Sequence, residues 1–114
     1  MEDCLFCKIV NKQLPSKIVL EDELSIAFED INPQTPIHIL IIPKTHYSSL
    51  NEIPEDEKSL LGHLIIKAKE IASQKGIDEK GYRLVLNTGK ESGQAVFHIH
   101  LHLLGGRPMG WPPG

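Results

Sequence analysis

Three histidines recur at every second position in His98-Ile99-His100-Leu101-His102, half of the six in this 114-residue chain. Alternate residues of a strand share a face. The run therefore predicts Ile99, Leu101 and Leu103 pointing into a core. It puts the three imidazoles on the other face, about 6.6–6.8 Å apart along the chain. A merely solvated face needs polar side chains, but not the same ring three times. Imidazole titrates near neutrality and serves as nucleophile, base or acid. It is also a zinc ligand, so a metal site on two or three of these rings is a further reading. Just upstream, Gly93-Gln94-Ala95-Val96 is a flexible turn whose backbone N–H groups can form an anion-binding nest. Asn87 ends the preceding apolar run with a neutral amide. A phosphate cradle beside a row of imidazoles points to phosphoryl or nucleotidyl chemistry. It does so without a Walker lysine motif or a GxGxxG loop.

Cys4-Leu5-Phe6-Cys7 is the second reactive group. Two cysteines this close make no disulfide framework, and no parallel βαβ context supports a thioredoxin-like redox pair. Two unrelated buried cysteines remain one reading. Half of a zinc site, needing two more ligands from elsewhere in the chain, is the other.

The elements that must position these groups are legible in outline. Cys4 to Val10 reads as a short helix or turn with Leu5, Phe6, Ile9 and Val10 inward. Lys17–Leu20 and Ser25–Glu29 read as strands of a hairpin turning at Glu21-Asp22-Glu23. Two prolines make 31–36 a loop. Ile37 to Ile42 is apolar except at His38, as a central strand covered on both faces should be. Pro54 and three acids start a helix, and Lys75-Gly76 stops it. Its stripe is Leu60, Leu61, Leu64, Ile65, Ala68, Ile71 and Ala72. His63 falls opposite that stripe and reads as solvated. Tyr82–Asn87 and Val96–Leu104 complete five strands, and the tail from Arg107 is irregular. The expectation is one α+β domain over residues 1–114, an antiparallel sheet with one long and one short helix on one side.

Composition narrows the function. The chain is 40% hydrophobic and 24% charged with a formal charge of −3, so no basic excess drives binding to nucleic acid or anionic membrane. No apolar run approaches the roughly 18 residues of a membrane span. The start, Met1-Glu2-Asp3-Cys4, lacks the features of a signal peptide. A soluble, cytoplasmic protein is expected.

The histidine ladder, placed after Gly93-Gln94 and before Gly105-Gly106-Arg107, resembles the histidine triad (HIT) signature. The likeness extends to Phe28-Glu29-Asp30-Ile31-Asn32-Pro33, Pro36-Ile37-His38, Ile42-Pro43-Lys44-Thr45-His46 and Trp111-Pro112-Pro113-Gly114. It is nearest to the Hint-type branch, the purine nucleoside phosphoramidases. The resemblance implies the HIT-like fold, with its sheet extended across a two-fold homodimer. It implies hydrolysis of the P–N bond of nucleoside 5′-phosphoramidates, and of acyl-adenylates, with release of AMP or GMP. His100 then corresponds to the nucleophile that forms a nucleotidyl–imidazole intermediate. His102 corresponds to the phosphate-binding histidine and His38 to a supporting one. Asn87, Gly93, Gln94, Ala95 and Val96 match the phosphate-contacting stretch. Asp30, with Ile31 beside it, matches the ribose carboxylate, a strong acceptor for a vicinal diol. Leu5, Phe6, Ile9 and Phe28 match the base cleft, with plain core as the other reading. Some family members carrying the CxxC bind structural zinc, which here implies Cys4, Cys7, His46 and His98 as ligands and no catalytic metal. Ala95 departs from the serine common in this branch and lacks its hydroxyl.

Three rivals remain at this stage. One is a nucleotide-binding regulatory module with incidental turnover. Another is a metal-dependent hydrolase that uses the ladder as ligands. The third is a dinucleoside polyphosphate hydrolase of the same superfamily.

Overall fold

The computed structural model describes residues 3–114; Met1 and Glu2, which open the stretch read as lacking a signal peptide, lie outside the described residues. Helix α1 covers Leu5–Val10 and helix α2 Lys58–Gln74. The strands are β1 (Ile18–Glu21), β2 (Ser25–Glu29), β3 (Ile37–Pro43), β4 (Tyr82–Val85) and β5 (Leu101–Gly105). They form one antiparallel sheet in the order β1-β2-β3-β5-β4. The most apolar strand, β3, is the central one and is buried from His38 to Pro43.

The sheet has two apolar faces, which alternate along each strand. Ala27, Ile39, Ile41, Ile99, Leu101 and Leu103 face α2 and pack on its Leu64, Ala68, Ile71 and Ala72. Ile26, Phe28, Leu40 and Ile42 face the other way and meet Phe6 and Ile9 of α1. The two helices thus lie on opposite faces, not on one side as the sequence suggested. A single turn and a half such as α1 carries too short a pattern to reveal which face it covers. The layer beneath α1 is the one that carries His38, His98, His100 and His102.

Helix α2 begins after Pro54, with the three acids forming a 3₁₀ turn at Glu55–Glu57. It ends at Lys75, after which Gly76 takes a positive φ of 73°, the usual exit that glycine allows. Ile65 leaves the expected stripe and is exposed. His63 is also a correction, because it is half-buried and bonded rather than freely solvated. Its Nε2 lies 2.9 Å from Asp22 Oδ2 and 3.3 Å from Ser25 Oγ. The β1–β2 turn folds down onto the first turns of α2, a tertiary approach that helix periodicity does not encode.

Strands β4 and β5 are shorter than their patterns predict. Continuing the β3–β5 register from Ile41↔Leu101 sets Pro43 opposite Ile99. Proline has no N–H for the ladder, and the Pro43 carbonyl instead receives the His98 ring at 2.8 Å. The segment 96–100 therefore runs outside the sheet ladder. It keeps the predicted alternation, with Ile99 toward α2 and the histidines toward α1.

Candidate active site

A cleft of about 390 Å³ opens between α1 and the sheet, with His100 and His102 in its wall. This is within the usual size range for small-molecule sites. Phe6, Ile9 and Phe28 are buried in the second core layer and also line the cleft. The Phe6 and Phe28 rings meet edge to face at 5.5 Å. Leu5, expected inward, is 44% exposed and forms the rim, and Ile31 is 98% exposed at the mouth. Asp30 also lines the cleft, and its Oδ1 accepts from the Asn32 N–H at 2.8 Å. Leu14, Pro15, Ser16, Glu29 and Leu40 also line the cleft; nothing in the sequence distinguishes them from ordinary strand, loop or core residues.

His100 Nδ1 lies 2.8 Å from the His98 carbonyl oxygen. A carbonyl only accepts, so Nδ1 carries the proton and Nε2 keeps its lone pair. Burial lowers the His100 pKa from its usual value, opposed by the bond to His98 and the Asp30 charge. The ring is therefore held neutral and in one tautomer.

A second chain of bonds fixes His102. The Gln34 backbone N–H donates to His38 Nδ1 at 3.0 Å. The neutral His38 ring must then carry its proton on Nε2, which lies 2.9 Å from His102 Nδ1. His102 in turn accepts at Nδ1 and presents an N–H at Nε2. Burial, with His100 and His38 close by, holds the His102 pKa down to about 4, and burial also lowers that of His38 against the pull of Asp30. Asp30 Oδ2 stands 3.4 Å from His38 Nε2. The Gln34 N–H was not foreseen, because a backbone donor leaves no mark in sequence.

Asp30, His38 and His102 also bring three potential metal ligands together. The geometry of the rings argues for a proton bridge there. Their centroids are 5.2 Å apart while the nitrogens are 2.9 Å apart. That difference is the two ring radii, so the nitrogens aim straight at each other rather than at a common third point.

Cys4, Cys7, His46 and His98 converge instead. Their ligand atoms all lie within 4.8 Å of one another. Sγ to Nδ1 distances are 3.4 Å (Cys4–His98), 3.3 Å (Cys7–His46) and 3.6 Å (Cys7–His98), and the two Nδ1 atoms are 3.2 Å apart. A tetrahedral zinc ion with ordinary bond lengths requires about 3.5 Å between sulfur and nitrogen and about 3.3 Å between nitrogens. The four residues fit such an ion. His98 Nε2 donates to the Pro43 carbonyl at 2.8 Å, which leaves the Nδ1 lone pair for a metal. Burial, with Cys4 beside it, pushes the Cys7 thiol up to about 11, and a bound divalent cation reverses that preference. Both cysteines are free thiols.

The loop before the ladder is arranged differently from an open nest. The Gly93 and Gln94 N–H groups point back to Lys90 O and Gly89 O. The Gln94 side chain is buried; its Oε1 accepts from Gly89 N–H, and its Nε2 donates to Ser48 O and Val96 O. Gln94 thus anchors the loop, and Ala95 and Val96 are its residues that reach the cleft. Asn87 is half-buried and outside the cleft lining. Extending the Val85↔His102 register places it level with His100.

Comparison with known proteins identifies the family. The HIT domain model matches residues 11–109. The chain belongs to the HIT domain family. The match starts after Cys4 and Cys7, so the cysteine pair lies beyond the family model. Among relatives, an uncharacterised HIT-like protein of Synechocystis is 52% identical over 99% of this chain and 98% of its own length. The purine nucleoside phosphoramidase of Escherichia coli K12 is 50% identical over 96% of this chain and 92% of its own. A HIT family hydrolase from Legionella pneumophila superposes with a TM-score of 0.96 at 52% identity, covering 98% of this chain and all of that one. A histidine triad protein from Clostridium difficile gives 0.94 at 44% identity over 96% of each chain.

Proposed function

We propose that this HIT protein hydrolyses purine nucleoside 5′-phosphoramidates through a nucleotidyl–His100 intermediate. The observation that carries this reading is the His100 Nδ1–H bond to the His98 carbonyl at 2.8 Å, which leaves an unprotonated Nε2 beside the cleft. The name of the Escherichia coli relative supports the substrate class. In the first step the Nε2–phosphorus bond forms as the phosphorus–nitrogen bond breaks, and the amine leaves with one proton taken from solvent, which the second step returns when the attacking water loses one. Water then attacks the phosphorus, releases the nucleoside monophosphate and restores His100. Splitting the reaction in this way is ordinary covalent catalysis.

His102 enters as a hydrogen-bond donor. With its pKa near 4 and its Nδ1 occupied by His38, it remains neutral and presents Nε2–H to a phosphoryl oxygen, where charge builds. Ala95 and Val96 offer backbone N–H groups to the same phosphate. Asp30 takes the ribose hydroxyls, and Phe6, Ile9 and Phe28 hold the base. Cys4, Cys7, His46 and His98 are the residues that would hold zinc. A closed four-ligand set supplies structure rather than an activated water.

The family's two-fold dimer is part of this reading. Strand β4 is at a sheet edge, and Ile65 and Ile66 are exposed on α2; a monomeric mass by light scattering at micromolar concentration would refute the dimer. The function itself is tested by AMP release from adenosine 5′-phosphoramidate. Wild type should turn over and His100→Ala should not. Equal rates from the two proteins would end the proposal.

A further inference from the structure

The nucleophile sits on the one stretch of the ladder that the sheet does not hold. Strand β5 starts at Leu101, so His100 and His98 lie outside its ladder. Their segment is fixed by other means. The Ile99 N–H donates to Tyr47 O at 2.9 Å, next to His46. Three bonding groups of His98 are engaged. Its carbonyl accepts from His100 Nδ1–H, its Nε2 donates to Pro43 O, and its Nδ1 faces Cys4, Cys7 and His46. A second route leads through α1. Cys4 caps that helix, its Sγ accepting from the Cys7 N–H. Between the two cysteines Phe6 packs edge-on against His100 at 5.1 Å, and against His98 at 6.0 Å. The four-donor set therefore governs both the acceptor that fixes the His100 tautomer and the ring that walls it in.

We propose that the Cys4–Cys7–His46–His98 centre is a positioning device for the nucleophile, so that metal occupancy sets the orientation and tautomer of His100 and thereby the rate of nucleotidyl transfer. The proposal rests on the covalent reading above. Cys4, Cys7 and His46 are positioning residues, since they act through His98 and Phe6 and touch no reacting atom. Without the ion, the four donors lose their common bond. The peptide that carries the His98 carbonyl then depends on the Ile99 N–H bond to Tyr47 O, which adjoins the released His46, and on the His98 ring bond to Pro43 O. Changes one shell away from a reacting group typically lower affinity or activity about 10–100-fold.

The test uses untagged full-length protein as wild type, Cys7→Ser, His46→Ala and His46→Cys. His46→Cys keeps four donors and serves as the conservative rescue. Four quantities are read: zinc per chain, melting temperature, the ring nitrogen chemical shifts of His100, and the single-turnover rate on adenosine 5′-phosphoramidate. Wild type and His46→Cys are expected to hold zinc, show His100 protonated on Nδ1 and react within threefold of each other. Cys7→Ser and His46→Ala, read well below their melting temperatures, are expected to hold little zinc. They should show a mixture of His100 tautomers and react about 10–100-fold more slowly. A folded, zinc-poor variant with the wild-type tautomer and a rate within threefold would overturn the proposal and reduce the centre to an N-terminal staple. Wild type that takes up no zinc would overturn it as well. A tautomer that follows zinc in a protein releasing no AMP would support the positioning and refute the phosphoramidase reading instead. If Cys7→Ser fails to fold, His46→Ala decides.

Discussion

Replacing His38 with phenylalanine keeps the ring and removes both nitrogens. Two partners lose their bonds: the Gln34 N–H at 3.0 Å and His102 Nδ1 at 2.9 Å. Gln34 is exposed and its bond to His38 is part-buried, so losing that bond costs about 0.5–1.5 kcal/mol of stability. For a domain near 100 residues each kcal/mol lowers the melting temperature by roughly 4–8 °C. The kinetic cost has a floor and a ceiling. The floor is the loss of one hydrogen bond that holds the His102 tautomer, about 0.5–1.5 kcal/mol, or roughly 2–13-fold in kcat. The ceiling is the loss of the His102 donor altogether, about 10²–10³-fold. The expected value is therefore roughly tenfold, toward the upper end of the floor range and well below the ceiling. Initial rates of AMP release from adenosine 5′-phosphoramidate read this directly. A double-mutant cycle with His102→Phe isolates the relay. Once His102 is gone, removing His38 should cost nothing further in kcat. Additive losses across the cycle would show that His38 acts by some route other than His102, and the proton-bridge argument would fail.

Other consequences follow from the same geometry. Burial lowers the His100 pKa, and the ring must be neutral to attack, so the acid limb of kcat/KM is expected below pH 6.5; a midpoint at or above 6.5 in a pH–rate profile contradicts this. Burial holds His102 near 4 in the folded chain, against about 6.5 unfolded. Between these values the unfolded chain binds more protons, so stability falls as pH drops from about 6.5 toward 4, and urea midpoints measured at pH 7 and 5 should show it. Restoring a hydroxyl with Ala95→Ser should raise the rate about 2–13-fold if it bonds only in the transition state; an unchanged rate on every amine leaving group would remove that role. Gly106 has a φ of 94°, and a Cβ there would stand 2.9 Å from Pro36 Cβ. Gly106→Ala should therefore cost about 1–3 kcal/mol, read as a lower melting temperature.

What sequence reveals here divides along physical lines. Strand β2 coincides with its predicted span and β3 nearly so, because burial on both faces writes a continuous apolar run. Most of the α2 stripe is legible for the corresponding reason, at a period near four. The onset of β5 is not legible: the alternation of Val96–Leu104 persists after the ladder has stopped, and Pro43 across the sheet is what stops it. The histidine ladder announces chemistry through residue type and spacing alone. The protonation of its rings depends on backbone groups that carry no side-chain signature, namely the accepting carbonyls of His98 and Pro43 and the donating Gln34 N–H. Gln94 carries contacts that its motif does not announce. Its place in the motif suggests a phosphate contact, yet its amide is occupied by Gly89, Ser48 and Val96. The cysteine pair signals half a metal site by its spacing. His46 and His98 join it only through the folding of distant segments.

Covalent nucleotidylation of His100 is the step on which the proposed function turns. The most direct measurement is an acid-free rapid quench of wild type with adenosine 5′-phosphoramidate, followed by peptide mass spectrometry. One adenylyl group is expected on the peptide carrying His100, located on that ring by fragmentation, and none in His100→Ala, which also releases no AMP. Turnover by His100→Ala at the wild-type rate, with no adduct in either protein, would contradict it.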